Sequence, residues 1–288
     1  MIVSSLVPLL ALLAATDDGP PIADHVAANV IAVPEELGLD PFYKKYADAN
    51  GIAVVGSEKV PDAAILVARD IINHMLLKRG DLREAMVRRK MRVIVMAQSE
   101  STTDLPEQRG WKKPSRDDRR LTDDERQHYE ERIGKLTDKE YWDRRARGMG
   151  GNPTSCAEEN LLGYPGTRYY GENILVHEFS HGIMDVGIRQ ADPDLYRRIR
   201  STYDAAMKAG LWKKSYAANT VAEYWAEGTQ TWFWSNYEYL DGDRRVMTPD
   251  ELKAYDPKLY ELLAEVYADH KIPMDVYHAR ELRPGRRR

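Results

Sequence analysis

The chain of 288 residues holds a single cysteine, Cys156, so an intramolecular disulfide is excluded. Whatever holds the fold together must be its apolar core, a bound metal, or both. A nucleophilic role for Cys156 is the alternative to a small packed residue. No charge of one sign dominates either. With 42 basic against 46 acidic residues and a formal net charge of −4, neither a nucleic-acid partner nor a membrane surface is expected. Internal repeats and low-complexity linkers are lacking, and a core is feasible with 43% apolar residues.

Long apolar runs are scarce as well. The one at the N-terminus, Met1 to Ala15, is short for a membrane span of roughly 20 residues. Followed by Thr16-Asp17-Asp18, it reads as a secretory signal peptide over residues 1–15 cut near Ala15, although the customary early Lys or Arg is missing. The expectation is a secreted or periplasmic protein with no stable membrane association after cleavage. Residues 16–40 then form a Pro-, Asp- and Ala-rich leader, and 41–288 one domain.

Within that domain the first third alternates. Ile52–Gly56 reads as a strand, Pro61 to about Arg79 as a helix closed by Gly80, and Met91–Ala97 as a buried strand. Residues 100–148 are densely charged and form a surface excursion, helical from Thr122 to about Lys135, that is either a solvated face or a wall bordering a cleft. Segment 154–162 is the candidate edge strand for pairing with a substrate backbone. Helices are expected over Glu172–Val186 with Gly187 as stop, Pro193–Lys208, Thr220–Asn236 and Pro257–Asp269. The fold class is therefore α+β: a small mixed sheet packed on a metal-binding helix, followed by a helical C-terminal half, as in zincin-like metallopeptidase domains.

The chemistry is carried by His177-Glu178-Phe179-Ser180-His181, an H-E-x-x-H motif in an apolar setting. At i and i+4 both imidazoles lie on one helix face and can reach one zinc ion, while Glu178 can take a proton from a water the ion activates. A catalytic zinc needs a third protein ligand. The metzincin spacing fails, because Met184 and Gly187 stand where Gly and His are required. Asp185, one turn past His181, is a minor candidate. Glu223 is the better one: with Glu227 it forms an i, i+4 pair inside an apolar helix rich in Trp and Tyr, where an uncompensated carboxylate would be costly. Glu227, a turn on, can orient a ligating imidazole. The other histidines, His25, His74, His128, His270 and His278, have no paired spacing.

The segments His177-Glu-Phe-Ser-His181-Gly182 and Ser215-Tyr216…Glu223-Tyr-Trp-Ala-Glu227 resemble the catalytic domain of the anthrax lethal factor family over roughly residues 170–235. The resemblance implies a zinc peptidase with two His ligands and one Glu, and a catalytic Tyr seven residues before the ligand Glu. Tyr216 holds that place and would donate to the oxyanion or to the leaving amine. There is no room for that toxin's receptor-binding and delivery parts, so a toxin role does not carry over. The expected activity is zinc-dependent hydrolysis of peptide or protein substrates, by an endopeptidase. The rivals are a non-catalytic, zinc-stabilised binding protein and an aminopeptidase in which Glu158 or Glu159 holds a free N-terminus.

Overall fold

A computed structural model describes residues 28–118 and 121–273. The expected signal segment, residues 16–27 of the leader, His25 and His278 lie outside the described residues. The fold is α+β: a mixed five-stranded sheet covered by helices. Strands β1 (Ile31–Ala32), β2 (Lys45–Ala49), β3 (Ile52–Gly56), β4 (Arg92–Met96) and β5 (Thr154–Ala157) lie in that order across the sheet. The pairs β1–β2 and β2–β3 are antiparallel, and β3–β4 and β4–β5 are parallel. The parallel strands β3 and β4 are largely apolar because both faces are covered. Val54, Val93, Val95 and Cys156 enter the main core, while Val55, Ile94, Met96 and Ala157 enter a smaller core with Tyr43 and Leu105 on the other face.

The crossover from β3 to β4 is made by α1 (Asp62–Met75) and α2 (Gly80–Arg88). Gly80 was expected to end one long helix. Instead the chain leaves α1 at Leu76 and Gly80 opens α2, where Arg79 pairs with Asp81 and Asp192. The charged excursion is partly folded. It contains α3 (Asp123–Gln127), a π-turn over Glu130–Gly134 and α4 (Asp138–Arg145), joined around Leu121, Ile133, Tyr141 and Trp142.

After β5 the chain turns at once into α5 (Glu158–Leu161), so the expected strand over 154–162 covers only its first half. Asn160 explains the turn. Its side chain donates to the carbonyls of Tyr169 and Glu172 and accepts from the Ile174 amide, fixing the start of α6 (Ile174–Gly182). Asn173 caps α6 by accepting from the Val176 amide at 3.1 Å. The helix does not stop at Gly187. It runs on through a π-segment, Ile183–Ile188, into α7 (Arg189–Ala191), and Gly187 lets it approach Met86 and Leu82 of α2.

The C-terminal half is helical, as expected: α8 (Pro193–Ala209), α9 (Val221–Trp232), α10 (Pro249–Tyr255) and α11 (Pro257–Val266), with a small hairpin of β6 (Tyr239–Asp241) and β7 (Arg244–Val246). Helix α9 lies against α6 and is tied from behind by Asp256. This buried carboxylate accepts from Trp212 Nε1 at 3.0 Å and the Tyr224 hydroxyl at 2.6 Å, and its other oxygen accepts from the Leu259 amide at 3.1 Å. Asp256→Ala would orphan these donors, at about 1–3 kcal/mol for each one left unsatisfied. The expected outcome is a clear drop in thermal unfolding temperature; an unchanged midpoint would show that this anchor does not hold α9.

Candidate metal centre

Helix α6 presents His177 and His181 one turn apart, with ring centroids 5.0 Å from each other. Helix α9 brings Glu223 in its first turn, where Thr220 caps the helix by accepting from the Glu223 amide. Glu223 Oε2 lies 3.1 Å from His177 Nε2 and 3.6 Å from His181 Nε2. Ligands about 2.0–2.2 Å from a tetrahedral zinc sit about 3.3–3.5 Å from one another, so the donor set fits such an ion. Among the described residues, these three form the group of ligand atoms suited to a metal, all within 4.8 Å of one another.

A second observation points the same way. Gln230 donates through Nε2 to the Asn173 carbonyl at 3.0 Å, which turns its Oε1 toward His177 Nδ1 at 2.9 Å. His177 must therefore carry its proton on Nδ1, and its Nε2 lone pair faces the Glu223 carboxylate. Two electron-rich atoms in contact need a cation between them, either a proton or a metal. Burial alone would lower the affinity of His177 for a second proton; the hydrogen bond to Glu223 and the nearby charges of Glu178 and Glu227 outweigh it and raise the pKa to about 10. Burial and the charge of His177 push His181 down to about 4. Glu223 stays below the usual carboxylate range, because its hydrogen bond to His177 and the neighbouring charges outweigh burial.

Glu178 points into the same cleft. Burial foremost, with the charges of Glu223 and Glu172, lifts its pKa to about 7, against the pull of His177 and a hydrogen bond from the Gly150 amide. That contact depends on glycine. A Cβ on Gly150 would sit 2.7 Å from His181 Cδ2, and one on Gly148 would sit 2.4 Å from Ile174 Cγ2. Two missing side chains thus let the strap 148–151 lie directly on the metal-binding helix. Tyr216 opens a 3₁₀ turn, Tyr216–Ala218, with its ring centroid 6.2 Å from that of His177 and its hydroxyl hydrogen-bonded to Glu223. Burial and the charges of Glu223 and Glu178 raise its pKa, so the hydroxyl stays a donor. All five residues line one cleft of about 800 Å³.

The structure thus brings together the five residues singled out in the sequence, and it amends the readings around them. Gln230, not Glu227, makes the hydrogen bond that orients His177; Glu227 stands 3.6 Å from Nδ1 and accepts from Asn236. Asp185 lines the cleft but is not part of the ligand group. Cys156 is fully buried in the core and its thiol is pushed up by burial, so it is packed and not nucleophilic. His74 pairs with Asp269, while His128 and His270 contact the carbonyls of Asp124 and Trp232, all away from the cleft. Glu158 and Glu159 are buried on α5, Glu159 is held by Arg147, and neither is among the residues that line the cleft. The outer edge of β5 is met at Ser155 by Met149, leaving the strap rather than β5 itself along the cleft. The excursion does border the cleft, through Glu125, Arg145 and Arg147.

No protein-family model and no curated protein matches the chain. Among solved structures, a Pro-Pro endopeptidase (PPEP-2) from Paenibacillus alvei is similar with a TM-score of 0.45 and 16% identity, over 74% of this chain and 97% of that one.

Removing the Gln230 amide should weaken zinc binding about 10–100-fold, the usual cost of losing a group that orients a ligand. Chelator competition on Gln230→Leu would measure it, and wild-type affinity in that variant would show that Gln230 does not orient His177. At neutral pH the metal-free His177 holds two protons, so zinc uptake should expel about one proton per site. A titration in weakly buffered solution would read it, and uptake with no acid release would contradict the raised pKa.

Proposed function

We propose that this chain is a zinc-dependent peptidase, acting as an endopeptidase on peptide or protein substrates. The observation that carries the proposal is the convergence of His177, His181 and Glu223, from two packed helices, at spacings that suit one tetrahedral ion. When bound there, zinc supplies a Lewis acid and brings the pKa of its water down to about 7.

The remaining steps belong to the chain. Glu178, whose proton affinity burial raises, accepts the proton of the attacking water and returns it to the departing amine. The Gly150 amide keeps its carboxylate turned into the cleft. Tyr216, protonated and 40% exposed, donates to the oxyanion as it develops. The resemblance of the two motif segments to the lethal factor family supports these roles. Export is supported by the apolar segment Met1 to Ala15 alone.

A purely structural zinc site is closed by four protein ligands. Here the ligand group has three members among the described residues, with a carboxylic acid beside it, which favours catalysis. The tie between Glu159 and Arg147, with neither Glu158 nor Glu159 among the residues lining the cleft, favours an endopeptidase over an aminopeptidase.

Glu178→Gln should retain zinc and lose hydrolysis of a peptide library by at least about 100-fold; undiminished cleavage would remove Glu178 as the base. Glu223→Ala should lose stoichiometric zinc by metal analysis. Tyr216→Phe should lower kcat with zinc content intact, and full turnover would exclude the oxyanion role.

A further inference from the structure

The cleft wall opposite the metal-binding helix carries three arginines, and they are not equivalent. Arg147 is fully occupied: it holds Glu159 through two nitrogens, and also donates to the carbonyls of Glu100 and Ala97. Arg145 gives only Nη1, to Glu125 at 2.8 Å, and no described group takes its Nε or Nη2. Its guanidinium also rests 5.5 Å over the Tyr141 ring. Arg168 lies beside it, donating to the Arg144 carbonyl and packed 5.0 Å over Tyr169, whose hydroxyl donates to the Arg145 carbonyl. No carboxylate among the described residues pairs with Arg168.

This end of the cleft therefore offers two guanidinium forks against one carboxylate, Glu125, which the Thr122 amide and hydroxyl also hold. The forks are pre-oriented by stacking and by fixed partners, which cuts the entropic cost of gripping a planar anion. The position matters as well. Arg145 and Arg168 line the same cleft as His177, Glu178, Tyr216 and Glu223, so an anion held there shares the cleft with the candidate metal centre.

We infer that Arg145 and Arg168 form a carboxylate-binding subsite, so that this peptidase selects substrates bearing a carboxylate within a few residues of the cut bond. The inference rests on the proposed peptidase reading for its catalytic consequence. Its ligand chemistry is a carboxylate, supplied either by an Asp or Glu side chain or by the free C-terminus of a short peptide.

The test uses the full chain loaded with zinc and a set of alanine-based decapeptides. One Asp, Asn or Lys is walked through the positions, and each peptide is made with a free and an amidated C-terminus. Binding of the same peptides to Glu178→Gln protein is measured in parallel. Asp should exceed Asn in kcat/KM and in affinity by about tenfold or more at one position, the scale of a charge-assisted hydrogen-bonded pair. Arg168→Gln and Arg145→Gln should each collapse the Asp-to-Asn ratio toward one, and Arg168→Lys should recover part of it. If amidation alone removes the preference, the carboxylate recognised is the chain terminus; if an internal Asp restores it, a side chain. Equal handling of Asp, Asn and Lys with both termini, or a ratio that survives both arginine variants, would overturn the subsite. Absence of all cleavage, with arginine-dependent binding of the Asp peptides intact, would strike the peptidase reading and leave the subsite standing.

Discussion

The arrangement depends on one carboxylate, Glu223, whose side chain is only 19% exposed. Glu223 enters the space between two imidazoles, in a region where an uncompensated charge costs several kcal/mol. It is tolerable because three partners face it: His177, His181 and the Tyr216 hydroxyl. Each partner is itself held from behind. Gln230 fixes His177, Asn173 and Asn160 fix the start of α6, and Asp256 holds Tyr224, the neighbour of Glu223. The polar network of the helical half thus converges on a cation-shaped space between α6 and α9.

The periodic parts of this picture were legible in the sequence. His177 and His181 follow from helical spacing, and Glu223 from the physical cost of an acid among Val221, Tyr224, Trp225 and Ala226. The strands β3 and β4 are apolar runs bounded by turn residues, and α1 has an unbroken apolar face. What the sequence hides is what depends on distance. Gln230 is an uncharged amide with no spacing rule to mark it, while Glu227 drew attention by its charge although it stands farther from the ring. Gly148 and Gly150 carry no mark of their role, because a glycine needed for close approach cannot be told from a glycine needed for a bend. Gly80 and Gly187 misled in the same way: both lie within helical stretches, and at Gly187 a Cβ would sit 3.3 Å from Met86 Sδ of α2, a tight fit. Residues 158–161 form a helix because Asn160 must reach the carbonyls before α6, a long-range demand with no local signature.

The excursion shows how a near-neutral chain can still have uneven electrostatics. Its acidic and basic residues mostly cancel in local pairs, such as Lys139 with Asp143 and Arg132 with Asp124. At the cleft the cancellation is incomplete, because Arg147 is spent on the sheet side while Arg145 and Arg168 keep free nitrogens. A composition average cannot reveal this; the small aromatic cluster of Tyr141, Trp142 and Trp111 does the positioning.

Cys156, packed between the sheet and the metal-binding helix, offers an experimental handle. The chain's sole thiol is sealed from solvent and held in its unreactive, protonated form. A cysteine placed at an exposed position would then be the one group open to a maleimide dye in the folded state. Fluorescent reporters can be attached at chosen points on the surface without first engineering the native sulfur away.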